Sequence, residues 1–183
     1  MPKITLNIDE VKKLHKEGNA SSIHGSLDTG ILKAAVYGAN DGIITTFAVV
    51  AGVAGAGLSP AIILILGISN MIADGLSMGI GDYLGERSER RHLKYQYQIE
   101  KWEVDKIPDE ERKELTEFFE KRGVKEADAQ ELTKVVTKYP KLWSELGFLD
   151  EMGVLPDFEG AMWKTGVTTF VAFVIAGSLP NRI

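Results

Sequence analysis

The sequence predicts an all-α protein in which apolar membrane helices flank a charged helical domain. Charged residues are few in three runs, Ala34–Leu58, Ala61–Leu84 and Thr165–Asn181, whereas they crowd between Glu86 and Asp157. No stretch alternates apolar and polar residues as a half-buried strand does. The overall values, 44% hydrophobic and 26% charged, therefore average two chemically different parts.

The composition argues against several functional classes. The net charge of -5 and the lack of a basic stripe argue against nucleic acid as a partner, because its phosphates require clustered Lys and Arg. The chain has no cysteine, which excludes disulfides, thiolate metal sites and cysteine nucleophiles.

Residues 1–30 are predicted to form a polar N-terminal tail, because they carry no apolar segment of the kind found in signal peptides. Residues 31–85 then hold the first two transmembrane helices. The run Ala34–Leu58 has 25 residues. At about 1.5 Å per residue, this run is long enough to cross about 30 Å of hydrocarbon. A turn at Gly57–Pro60 separates the two helices, and Pro60 suits the first turn of the second.

Residues 86–157 are predicted to form a helical domain outside the membrane. The second membrane helix continues without Gly or Pro from Glu86 to about Asp105. Pro108 fits the first position of a new helix, which Gly123 ends. Two further helices are predicted in this domain, Glu126–Tyr139 and Pro140–Met152.

Residues 158–183 are predicted to hold a third transmembrane helix. Its uncharged run, Thr165–Asn181, has only 17 residues, which makes it a marginal span. Positive residues flank the first two spans, whereas the turn between them has none, so both flanks should be cytoplasmic. These residues are Lys33, Arg87, Arg90, Arg91 and Lys94.

Carboxylates inside the apolar runs are the strongest functional signal, because an ionisable group in hydrocarbon costs about 2.5–3.5 kcal/mol unless a partner or polar cavity receives it. Asp41 lies in the first run. Carboxylates with a thioether suit Fe²⁺ or Mn²⁺, which makes Asp41 and one side of the second helix a candidate ion path. In the alternative interpretation, Met78 packs or faces lipid and Asp82 lies at the interface. The residues on that side recur every fourth position: Asn70, Asp74, Met78 and Asp82.

Three pairs of glycines, each four residues apart, allow close approach of helices. Packing within one chain and a homodimer seam explain them equally well. The pairs are Gly38 with Gly42, Gly75 with Gly79, and Gly81 with Gly85.

Two pairs of glutamates flank the turn at Pro108, and each pair lies on one face of its helix. The turn can bring the two faces together as an oxygen-rich site for a divalent ion. A solvated helix face, such as Glu117 with Lys121 provides, is the alternative interpretation. The pairs are Glu100 with Glu103 and Glu111 with Glu114.

From about residue 32 to 180, these motifs resemble those of the vacuolar iron transporter family in their order along the chain. The resemblance is specific because it joins an intramembrane Asp-Gly, a Ser-Met pair and a hairpin of paired glutamates. The residues that carry it are Tyr37–Gly42, Leu76–Gly79, Asp82 with Tyr83, Glu100–Asp105, Pro108–Glu111 and Glu114.

The resemblance implies a homodimeric integral membrane protein of a cell or vacuolar-type membrane, in contact with lipid, that exports Fe²⁺ from the cytosol in exchange for protons. Mn²⁺ and other divalent transition metals are further expected substrates. Asp41 and Met78 would bind metal in the membrane, and Glu151 would join the four glutamates of a cytoplasmic metal-binding domain. The family has five membrane helices, so a chain of 183 residues is expected to lack the last two.

The chain departs from the family pattern at two places. Gly147 and Phe148 stand where the family usually has a Met-Glu pair, which predicts weaker or fewer metal sites in the helical domain. Asp82 replaces the usual glutamate and has less reach.

Two other functions remain as alternatives. One is a membrane-anchored metal buffer without transport. The other, less favoured, is a ferroxidase, because di-iron carboxylate chemistry normally uses two Glu-x-x-His motifs and the chain lacks such a pair. The sequence therefore predicts no enzymatic activity.

Overall fold

The computed structural model describes residues 12–13, 15–17, 29–158 and 160–179, so most of the predicted tail lies outside the described residues. Six α-helices follow from residue 29, and no strand occurs in the described part, which confirms the all-α fold. The helices are α1 (Thr29–Gly55), α2 (Pro60–Lys106), α3 (Pro108–Lys121), α4 (Glu126–Val136), α5 (Pro140–Met152) and α6 (Trp163–Gly177).

The chain divides into two compact units. The first comprises Met1–Asp82 with Trp163–Ile183, and the second comprises Tyr83–Met162. The predicted domain limits, after residues 85 and 157, lie a few residues from these divisions. Because α2 is one continuous helix, it supplies residues to both units.

In the first unit, α1 and α2 are long and apolar enough to cross a membrane. Large apolar side chains along them are exposed, including Phe47 at 61% and Ile65 at 65%. Apolar surfaces of this kind are typical of contact with lipid or a partner. Helix α6 has 15 residues. At about 1.5 Å per residue it is shorter than the roughly 30 Å hydrocarbon core, as the marginal apolar run in the sequence suggested.

Helices α1 and α6 approach each other closely through glycine. A Cβ atom on Gly38 would overlap the backbone of Thr169, and one on Gly42 would overlap the backbone of Phe173. Because backbone atoms cannot move aside as a side chain can, larger residues at these positions would force the helices apart.

The other two glycine pairs lie on α2 and differ from each other. Gly75 and Gly79 face α6, and a Cβ atom on Gly79 would lie 2.8 Å from the carbonyl oxygen of Gly166. Gly81 and Gly85 have nothing within 4 Å of their Cβ positions. The first two pairs along the chain therefore pack within it, whereas the third pair leaves an open helix surface.

The second unit has a small apolar core, and glycines end two of its helices. Gly123 and Gly153 follow α3 and α5 with φ of 89° and 70°, a left-handed conformation that glycine adopts at low cost. Helix α4 stops at Val136, earlier than the predicted Tyr139, because the Tyr139 N–H donates to the Val136 carbonyl (2.8 Å) in a tighter turn. The core consists of Val104, Leu115, Phe118, Val136 and Trp143.

Candidate metal centre

Three glutamates of the second unit bring carboxylate oxygens together. Glu100 and Glu103 lie one turn apart near the end of α2, and Glu151 lies on α5. One oxygen from each falls within 4.8 Å of the others. Glu100 is only 2% exposed, and its Oε1 atom has no hydrogen-bond partner among the described residues. Such an oxygen is costly to bury unless a cation or a proton satisfies it.

A tight turn brings α3 to the same place. Pro108 begins α3, at a position where a backbone N–H would have no partner within the helix, so its missing N–H costs no hydrogen bond. The Glu111 N–H donates to the Ile107 carbonyl (3.2 Å). Glu111 is buried, and its charge is among those that act on the Glu100 carboxyl group. Glu114, one turn further along α3, lines the adjoining cleft.

The cleft between α3 and α5 is lined by both acidic and apolar residues. None of the five candidate ligands takes part in an ion pair among the residues that the structure describes. When ionised, the cluster therefore carries uncompensated negative charge, which favours binding of a cation. The cleft is lined by Glu111, Glu114, Leu115, Phe118, Trp143, Leu146, Gly147, Asp150 and Glu151.

Burial and mutual repulsion make these carboxyl groups hard to ionise. Burial, followed by repulsion from neighbouring carboxylates, raises the pKa of Glu100 from 4.5 to about 8. The same two causes raise the pKa of Glu111 to about 7, although the neighbouring Glu100 carboxyl group acts in the opposite direction. The pKa of Glu151 is also raised, first by burial and then by the charges of Glu103 and Glu114. A divalent cation must therefore displace protons when it binds.

Helix α5 is held in place by contacts on both sides of the cluster. Phe148 is fully buried, and its ring packs edge-on against Tyr97 with the centroids 5.5 Å apart. Asp150 accepts a hydrogen bond from Arg122 (3.3 Å) and lies 3.6 Å from the Lys121 ammonium. These contacts fix the face of α5 from which Glu151 reaches the cluster.

The candidate residues of the membrane helices are not grouped as closely as the glutamates of the second unit. Asp41, Asp74 and Met78 are half-buried, and no hydrogen bond or ion pair joins them to one another in the described part of the chain. Asn70 Nδ2 is buried without a partner among the described residues. Asp82 accepts a hydrogen bond from the Thr169 hydroxyl of α6. The structure thus groups the glutamates into one cluster and leaves the intramembrane residues spread along the helices.

Sequence reasoning missed the partners of the candidate residues. Thr169 binds Asp82, but no periodic pattern in α6 marks this threonine. Asp150 lines the cleft and pairs with Lys121 and Arg122 at the end of α3, a contact between distant parts of the chain. One Glu-x-x-His spacing does occur, Glu89 with His92, and both side chains are exposed and outside the group of close carboxylates.

Comparison with known protein families identifies the chain. The family model described as the VIT family matches residues 32–181, which is most of the sequence. The chain belongs to the VIT family. Its matched region includes both the candidate intramembrane residues and the acidic cluster.

Several curated relatives in the VIT family carry the name vacuolar iron transporter. The chain is 38% identical to the Toxoplasma gondii protein over 168 residues, which cover 91% of the chain and 54% of the relative. It is 29% identical to the Plasmodium berghei protein over 180 residues, 95% of the chain and 66% of the relative. Vacuolar iron transporter 1 of Arabidopsis thaliana is 30% identical over 151 residues, 82% of the chain and 60% of the relative. The chain thus spans about half to two thirds of the length of these relatives.

Within this VIT family chain, Gly147 and Phe148 of α5 supply no candidate ligand to the cluster. Phe148, at a position where the sequence suggested a missing ligand, belongs to the apolar packing around Tyr97. Gly147 lies directly against the Glu100 carboxyl group. Glu151 is therefore the one candidate ligand that α5 supplies among the five.

Proposed function

We propose that this protein is a membrane carrier that takes Fe²⁺, and also Mn²⁺, from the cytosol and exports it in exchange for protons. The buried, unpartnered Glu100 oxygen, in a group with carboxylate oxygens of Glu103 and Glu151, is the observation that supports it most directly. An all-oxygen set of ligands suits hard and borderline divalent ions such as Mn²⁺ and Fe²⁺. The names of the relatives support iron as the principal substrate.

Metal capture at the cluster is the first step of the proposed mechanism. Near neutral pH, Glu100 and Glu111 retain protons for much of the time, because their pKa values are about 8 and about 7. An arriving cation displaces these protons and is then bound by the ionised carboxylates of the cluster. The cluster therefore binds metal more tightly as the pH rises, and acidification releases it.

Transfer through the membrane is assigned to the carboxylates and the thioether of the first unit. Asp41 and Met78 are the proposed ligands, and Asn70, Asp74 and Asp82 lie along the proposed path on α2. A carboxylate in a low-dielectric setting can hold either a divalent cation or a proton, and this competition couples the two flows. The hydrogen bond from Thr169 holds Asp82 at its position along this path.

The second unit is proposed to lie in the cytosol, and the carrier is proposed to be a homodimer in a cell or vacuolar-type membrane. The positive residues after the second span support this orientation. The open helix surface at Gly81 and Gly85 offers a close-packing face for a second copy of the chain.

Metal flux into proteoliposomes tests the proposal. Vesicles that contain the full chain should accumulate Fe²⁺ when their lumen is acidic, and Glu100→Gln should slow this uptake. The matched control is Glu117→Gln, because Glu117 is an exposed glutamate of α3 that pairs with Lys121. Uptake no faster than in empty vesicles would contradict transport by this chain.

A metal buffer is the second candidate function. All five glutamates lie in the unit Tyr83–Met162, so metal binding at the cluster does not require ligands from the first unit. Tight, saturable binding of Fe²⁺ by the full chain without flux in the same vesicles would favour the buffer over the carrier.

A further inference from the structure

Gly147 occupies a special place beside the acidic cluster. A Cβ atom on Gly147 would overlap Oε1 of Glu100 and would lie 2.7 Å from its Cδ atom and 3.3 Å from its Oε2 atom. The Glu100 carboxyl group thus fills the space that any other side chain at position 147 would take. Glu100 is 2% exposed, so this contact with α5 is buried.

Gly147 and Glu151 lie four residues apart on α5 and therefore share one face of that helix. The first provides space for a carboxyl group from α2, and the second provides a carboxylate oxygen within 4.8 Å of it. Neither function needs the backbone freedom of glycine, because Gly147 lies inside a regular helix. The absence of a side chain is what this position contributes.

We propose that Gly147 is a positioning residue for the metal centre, because its lack of a side chain lets the Glu100 carboxylate lie against α5 and reach the same divalent cation as Glu151. This inference rests on the metal centre of the proposed function. It assigns to Gly147 a role in setting the geometry of the ligands rather than in contacting the ion.

The proposal predicts a change in metal affinity without a change in fold. Glu100 Oε1 is the end of a flexible side chain, so a methyl group at position 147 would displace the carboxylate more readily than it would move α5. Loss of a residue that orients a metal ligand typically weakens affinity by about 10- to 100-fold. We therefore expect Gly147→Ala to weaken Mn²⁺ binding by about tenfold or more.

Calorimetric titration of Mn²⁺ into the full chain in detergent tests this expectation. Gly52→Ala on α1 is the matched control, because it makes the same change in a helix where nothing lies within 4 Å of the Cβ position. Far-ultraviolet circular dichroism should be the same for both variants and for the parent protein. Equal Mn²⁺ affinity of Gly147→Ala and Gly52→Ala would overturn the proposal.

A double-mutant cycle separates ligand positioning from a general packing defect. In the Glu100→Gln background the carboxylate is absent, so Gly147→Ala should cause little further loss of Mn²⁺ affinity. An equal loss in both backgrounds would mean that the methyl group acts through packing, and would overturn the proposal. Failure of the parent protein to bind Mn²⁺ would overturn the metal centre itself, whereas unchanged binding by Gly147→Ala alone would overturn only the role of Gly147.

Discussion

At the scale of single residues, the acidic cluster combines strong burial with a lack of compensating positive charge. Glu100 and Glu111 are 2% and 5% exposed, yet neither has a basic partner among the described residues. In the absence of metal, burial and the neighbouring carboxylates disfavour the charged form of each group. Protonation removes that charge, so the pKa values of both groups are raised. In the metal-free protein, Glu100 and Glu111 are therefore protonated for much of the time near neutral pH, at the proposed metal site.

This protonation predicts that the metal-free protein loses stability as the pH rises. Between about pH 5 and about pH 8 the folded state binds more protons than the unfolded chain, whose carboxyls ionise near 4.5. The free energy of unfolding should then fall with pH, by at most about 1.4 kcal/mol per pH unit for each group.

Thermal unfolding of the full chain, followed by the fluorescence of its tryptophans, measures this slope. The Glu100→Gln variant has no charge at position 100 at any pH, so its stability should depend less on pH than that of the parent protein. Glu117→Gln, on the exposed face of α3, should leave the pH dependence of stability unchanged. Saturating Mn²⁺ should restore stability at high pH. A melting temperature that stays constant from about pH 5 to about pH 8 would contradict the raised pKa values.

Substitutions of the two proposed membrane ligands, Asp41 and Met78, should change metal uptake in different ways. Asp41→Asn keeps the shape but removes the charge, so uptake of both Fe²⁺ and Mn²⁺ should fall to the level of empty vesicles. Met78→Leu removes the thioether, so it should lower Fe²⁺ uptake severalfold more than Mn²⁺ uptake. Competitive uptake of the two ions by proteoliposomes measures both effects. Met71→Leu on the same helix is the control, and an equal loss of both ions in Met78→Leu would remove Met78 from the path.

Much of the cluster could be predicted from the sequence because its pairs of candidate ligands are local. Glu100 with Glu103, and Glu111 with Glu114, are three residues apart, and the proline between the pairs marks the turn. The burial of Glu100 and its contact with Gly147 could not be predicted, because they depend on how α5 packs. That packing joins residues 47 positions apart.

At the scale of whole helices, glycine decides which helices touch. The backbone contacts of Gly38 and Gly42 with α6 leave no space for a side chain. Sequence spacing alone left open whether these glycines pack within the chain or between chains. The structure answers that question for two of the three pairs, because only a folded chain shows which surface each glycine faces.

The close packing of α1 against α6 predicts a large difference between two glycine substitutions on α1. Gly42→Ala should destabilise the first unit by about 1–3 kcal/mol, since the methyl group would overlap the backbone of Phe173. Gly52→Ala should be neutral or slightly stabilising, because nothing lies within 4 Å of its Cβ position and alanine favours helix. Thermal unfolding in detergent measures both, and equal melting temperatures would contradict the packing described for Gly42.

Helix ends were predicted well where one residue determines them. Pro108, Gly123, Pro140 and Gly153 each begin or end a helix as expected, because their backbone preferences act locally. The end of α4 was placed too late, since a tighter turn at Lys138 and Tyr139 has no comparable marker in the sequence.

At the scale of the whole molecule, the charge distribution predicts on which side of the membrane the second unit lies. The chain has no cysteine, so one introduced cysteine reports its position without background. Ala127→Cys, on the exposed surface of α4, should be protected from an impermeant thiol reagent outside intact cells, if the carrier lies in the cell membrane. Ser59→Cys, in the turn between α1 and α2, is the control that should react. Labelling of Ala127→Cys from outside would reverse the proposed orientation.

Binding of Mn²⁺ to the full chain, measured together with proton release, tests the central claim most directly. The parent protein should bind Mn²⁺ and release protons on binding, with higher affinity at about pH 8 than at about pH 6. Replacement of Glu100, Glu103, Glu111, Glu114 and Glu151 by glutamine should abolish both signals. Unchanged Mn²⁺ affinity and unchanged proton release in that variant would contradict the assignment of the acidic cluster as the metal centre.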